Sequence, residues 1–103
     1  MTTDAAKAAA RDKLAALRNG FAARLRERVG KLEDAVEAAC SRDDLGVHHT
    51  EALAHQLAGT AGSYGFVEVG ELSAELEALC QSGFNADVAR AIIDRLWTAL
   101  GRP

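Results

Sequence analysis

The sequence predicts an all-α protein: an up-down-up-down four-helix bundle with an additional N-terminal helix. Three observations predict it. The 103-residue chain holds 22 alanines and a single proline, with few aromatic or β-branched residues, which is a composition of helix formers. Apolar residues recur at steps of three and four along most of the chain. Short links separate the periodic segments, which sets consecutive helices antiparallel. The length suits one domain over residues 1–103, with the N-terminal helix in residues 1–19 and the bundle in residues 20–101.

Five helical segments follow in order. The first covers residues 4–18, with Thr3 as its cap and a thin apolar face of Ala10, Leu14 and Leu17. Asn19-Gly20 suggests a break, although Phe21 keeps the helical phase and also allows a continuous helix. The second covers residues 20–41, where Phe21, Leu25, Val29, Leu32 and Val36 form a stripe. Arg24, Arg26, Arg28 and Lys31 fall off that stripe and read as a solvated face. Residues 42–46 connect to the third helix, residues 47–64, after which Gly65 suits a position where φ can be positive. The fourth, residues 67–81, turns Val69, Leu72, Leu76, Leu79 and Cys80 inward, and Ser82-Gly83 ends it. Asn85 caps the fifth, which runs to Leu100 with Val88, Ile92, Leu96 and Ala99 in line, widened by Ile93, Trp97 and Leu100.

The third helix carries the most informative residue, His55. Each residue of a helix turns about 100°, so Gly59 lies roughly 40° to one side of His55 and Gly62 roughly 20° to the other. Ala52 and Ala58 flank it at roughly 60° on opposite sides. Leu53, Leu57 and Tyr64 point roughly 160–180° away, toward a core. The imidazole therefore stands on a shallow surface of hydrogens and methyls. Each helical glycine costs about 1 kcal/mol relative to alanine, so two of them beside one exposed histidine suggest that something large approaches the ring.

The bulk composition excludes several classes. A net charge of −3 with mixed signs gives no support for nucleic-acid binding. The apolar runs are too short to cross a bilayer, and the alanine-rich start, interrupted by Asp4, Lys7, Arg11, Asp12 and Lys13, lacks the apolar block of a signal peptide. A cytoplasmic location is the default expectation. Cys40 and Cys80 are then expected reduced, as small buried hydrophobes rather than a disulfide. His48 and His49 could join His55 at a metal, but no carboxylate or thiol cluster completes a site at recognisable spacing, so no metal is expected.

The run His55-x-Leu57-x-Gly59-Thr60-Ala61, with Gly65 ten residues after the histidine and Leu72-Ser73-Ala74-Glu75-Leu76-Glu77 in the next helix, resembles the histidine-containing phosphotransfer (HPt) domains. The resemblance covers roughly Phe21 to Leu100. It implies a phosphorelay intermediate that accepts a phosphoryl group on His55 from a receiver-domain aspartate and passes it to another receiver domain. The implied partners are response-regulator receivers and a hybrid sensor histidine kinase, with Mg²⁺ supplied by the receiver and no cofactor bound by this chain. Gln56, Ala58, Gly59 and Gly62 would form the docking face, with Gly59 and Gly62 clearing space. The family expectation is a monomer. Nothing resembles a nucleotide-binding loop, so no ATP-dependent kinase activity is expected. Ala58 departs from the lysine many relatives carry there. That departure sustains the alternative of a non-catalytic module that binds a receiver or kinase without phosphotransfer.

Overall fold

The computed structural model describes residues 3–41 and 44–101. It contains four helices: α1 (Thr3–Cys40), α2 (Asp44–Ser63), α3 (Val67–Ser82) and α4 (Ala86–Leu100). Among the described residues there is no strand. Helix α1 packs on α2 and α4, and α3 packs on the same two, so the four helices close a ring around a shared core.

The predicted N-terminal helix is the first half of α1, and the break suggested at Asn19-Gly20 does not occur. One glycine costs a helix about 1 kcal/mol, and without a proline that does not end it. The apolar phase carried by Phe21 runs on into the bundle. From Leu25 onward α1 buries Leu25, Val29, Leu32 and Val36. Ahead of that point the same stripe has nothing to cover it, and Leu14 and Leu17 are 66% and 53% exposed. Thr3, expected as a cap, is itself helical.

The second correction is the start of α2. It begins at Asp44 rather than Val47, with the acidic side chain in the first turn, where the helix dipole favours it. Of the predicted connection, Arg42 and Asp43 lie outside the described residues. The early start places Gly46 against α1. A Cβ there would come within 2.8–2.9 Å of the Ala39 backbone, so this crossing admits only glycine.

The core is a continuous apolar cluster. Leu25, Val29, Leu32 and Val36 meet Ala54, Leu57 and Ala61 of α2, Val69, Leu72 and Leu76 of α3, and Ile92, Ile93, Leu96 and Trp97 of α4. Each fully buried large side chain contributes about 1.5–3 kcal/mol relative to exposure. Val88, placed in the α4 stripe by its spacing, is 46% exposed, because the stripe is wider than the seam it fills. Cys40 and Cys80 are free thiols but half-buried rather than buried. The two buried hydroxyls are satisfied locally: Thr50 donates to the Gly46 carbonyl and Ser73 to the Val69 carbonyl. Arg26 reaches across to donate to the Leu100 carbonyl at 3.0 Å, tying α1 to the last turn of α4.

Candidate functional site

The site is built on α2, and the end of that helix is fixed tightly. Gly65 takes φ 82°, and Phe66 donates to Ala61 while Gly65 donates to Gly62, the paired bonds of a Schellman closure. The turn sends α3 back along α2. Gly70 lets the two backbones close up. A Cβ on Gly70 would lie 3.3 Å from the Ala58 carbonyl oxygen, with the Gly62 backbone nitrogen at 3.5 Å. The bare backbone of Gly62 thus also lies against Gly70 of α3 at close range. Gly62 itself remains open, since a Cβ built on it, or on Gly59, would meet nothing within 4 Å.

His55 stands on the outer face of α2 with 74% of its side chain exposed. Behind it Leu57 is buried at 1%. Leu53, predicted to be buried with it, is only half-buried and lines two shallow grooves against α1. Its phase places it at the edge of the α1–α2 seam rather than beneath the ring. Gln56, Gly59 and Gly62 are exposed, and Ala58 is half-covered on the side of α3. His48 and His49 are exposed one to two turns earlier, and among the described residues no His, Cys, Asp or Glu cluster could hold a metal.

One partner was not singled out from the sequence. Glu77 of α3 places Oε2 2.7 Å from Nδ1 of His55. An ionised carboxylate can only accept, so Nδ1 is the donor in this bond, and in the neutral imidazole that assigns the lone pair to Nε2. The carboxylate is the less exposed member, with 22% of its side chain accessible, and is held by α3. The ring is therefore aimed by a neighbouring helix, the arrangement that orients an imidazole nucleophile or base. Glu77 belongs to the Leu72–Glu77 run noted in the sequence, but its pairing depends on the register of α3 on α2. Heptad phase from Gly70 to Glu77 was the available signal.

The Cys80 thiol is not activated as a nucleophile. Burial pushes Cys80 up to about 11, helped by the negative charges of Glu51 and Glu77, so it stays protonated at neutral pH.

On the other flank of α2, Arg24, Arg28 and Lys31 of α1 wall a groove of about 380 Å³ together with Glu27, Leu53 and Gln56. Arg24 also lies 5.4 Å from the Phe21 ring, which stacks on Tyr64 at 4.0 Å. The face thus has a carboxylate on the α3 side of His55, cations on the α1 side, and a smooth strip between.

A family model described as the Hpt domain matches residues 16–101. Comparison with curated proteins and with solved structures gives no match. The matched span begins inside α1 and takes in the whole bundle, the open histidine of α2 and its partner on α3. The chain belongs to the Hpt domain family, the phosphotransfer domains of two-component signalling relays.

Proposed function

We propose that His55 is the phosphoacceptor of a phosphorelay. It takes the phosphoryl group from an aspartyl phosphate on one receiver domain and gives it to the aspartate of another. The observation that carries this reading is the hydrogen bond between Glu77 and Nδ1 of the open His55 ring, which in the neutral imidazole keeps the lone pair on Nε2. The Nε2 lone pair forms a P–N bond as the P–O bond to the aspartate breaks, and the electron pair leaves on the carboxylate. Positive charge develops on the ring as this occurs, and Glu77 faces it through the Nδ1 proton. Phosphoryl transfer depends mostly on in-line positioning and charge stabilisation, and this chain supplies the positioning. Mg²⁺ is expected on the receiver. Gly59 and Gly62 keep the strip beside His55 low enough for a partner's active site to reach the ring, with Gln56 and Ala58 at its margins. In this reading the chain works in the cytoplasm, as a monomer, between the receiver of a hybrid sensor kinase and a separate response regulator.

The test is incubation with receiver domains that carry radiolabelled aspartyl phosphate. The expected product is an acid-labile, base-stable label on the wild-type chain. His55→Gln should retain the helical circular dichroism spectrum, with stability changed by about 0.5 kcal/mol or less, and take no label. Full labelling of that variant would move the site elsewhere. Binding of a receiver with no label on the wild type would favour the non-catalytic module, the reading that Ala58 keeps open.

A further inference from the structure

Among the described residues of the bundle, most cations are already engaged. Arg26 donates to the Leu100 carbonyl, Arg90 pairs with Glu37 at 3.0 Å, Arg95 lies 3.6 Å from Glu75, and Arg18 sits 4.2 Å over the Phe66 ring. Arg28 and Lys31 have no ion pair or ring contact within the described chain, and Arg24 has only its distant approach to Phe21. These three residues share one groove, and its only acid is Glu27, so its formal charge is three minus one, or +2. The whole chain carries −3. The sign reversal is therefore local. It lies on the α1 side of His55, because Gln56, the next residue after the histidine, lines the same groove. On α2 itself Ala58 supplies no cation.

We infer that the Arg24–Arg28–Lys31 ridge is the electrostatic docking element for the acidic face of a receiver domain, guiding it onto His55. The inference rests on the proposed phosphoacceptor role. A partner that carries an aspartyl phosphate presents carboxylate and phosphoryl charge around the reacting centre. A chain of net −3 repels such a face at long range. Three cations free of internal acid partners offset that repulsion where the approach must occur, and they cost no existing ion pair when the partner arrives. The ridge stands to one side of the histidine, so it meets the rim of the partner rather than the transferring oxygens. Its effect falls on association, and the limiting transfer rate is left to His55, Glu77 and the partner.

The experiment uses the full chain and a panel of receiver domains phosphorylated with acetyl phosphate. The double reversal Arg28→Glu/Lys31→Glu leaves Arg24 over Phe21. The control Lys7→Glu/Lys13→Glu makes the same change in net charge on the exposed start of α1. At low salt the ridge reversal should raise the half-saturating receiver concentration on the order of tenfold and leave the limiting rate within about twofold. The difference should vanish at about 0.5 M salt, where the Debye length is about 4 Å. The control should stay near wild type. An unchanged half-saturation and salt slope, an equal effect from the control, or a loss confined to the limiting rate would each overturn the ridge. So would a change in self-association with transfer unmoved, which would make the groove a contact between copies. Receiver binding by the His55→Gln chain, with and without the reversals, separates the two readings. Binding lost on reversal while the wild type takes no label means docking without relay, and it strikes only the phosphoacceptor role. Labelling of the wild type with binding unmoved by reversal strikes only the ridge.

Discussion

At His55, one hydrogen bond engages Nδ1; in the proposed relay it decides which ring nitrogen reacts, and its strength sets what its loss should cost. Glu77 is partly shielded by α3, so its bond to Nδ1 should exceed that of a fully exposed pair and fall below a buried one. Glu77→Ala is expected to slow single-turnover phosphotransfer about five- to tenfold, or about 1–1.4 kcal/mol. Glu77→Gln keeps an acceptor oxygen but no charge, and should fall between the two. Global stability should change little in either variant. A rate for Glu77→Ala within twofold of wild type would mean that the ring is not held from α3. The sequence displayed His55 and its smooth surroundings, because they lie on one helix and follow from a 100° step. It did not display Glu77 as a partner, because the pairing joins positions 22 residues apart and depends on how two helices register.

At the level of the helix, the glycines separate into those that need space and those that leave it. A Cβ on Gly59 or Gly62 meets open solvent, whereas on Gly46 it meets the Ala39 backbone and on Gly70 the Ala58 carbonyl. Gly59→Ala and Gly62→Ala should each stabilise the fold by about 0.5–1 kcal/mol through helix propensity. Gly46→Ala should destabilise it by about 1–3 kcal/mol by forcing α1 and α2 apart. Gly70→Ala should fall short of the Gly59→Ala gain, since its crowding offsets propensity. Urea unfolding of the four variants checks the order. A Gly59→Ala that destabilised would place that glycine in packing rather than in clearance. These distinctions were only half legible: sequence phase put Gly59 and Gly62 on the histidine face, but nothing local marked Gly46 or Gly70 as crossing points. The continuity of α1 was harder still. Asn19-Gly20 has the composition of a break, and the outcome rests on the absence of a proline and the unbroken phase of Phe21.

The whole molecule is longer than a 103-residue domain needs to be. Its radius of gyration is 16.5 Å and its long dimension 64 Å, whereas a compact chain of this length is expected near 13 Å in radius. The excess is the start of α1, since 38 helical residues span about 57 Å. That segment buries almost nothing: Leu14 and Leu17 lie open, and the family match begins only at residue 16. Removing residues 1–15 should therefore lower the unfolding free energy by less than about 1 kcal/mol. Amide exchange should be fast over residues 4–16 and slow over residues 25–36. Slow exchange in the segment would mean that something covers it in solution. The bundle and its core were foreseeable from periodicity, whereas the projection was only one of the arrangements the sequence allowed, because an apolar stripe looks the same whether or not another helix lies beneath it.

The openness of His55 also governs time. With 74% of its side chain accessible, the ring is uncovered among the described residues, and in the proposed relay a phosphoryl group on Nε2 would face water as well as a receiver. In the proposed relay the lifetime of the stored signal is then a race between hydrolysis and encounter, set by the abundance of charged and uncharged receivers rather than by the carrier. On that reading the carrier would transmit faithfully only while its partners are plentiful, and would lose its stored signal when they are scarce.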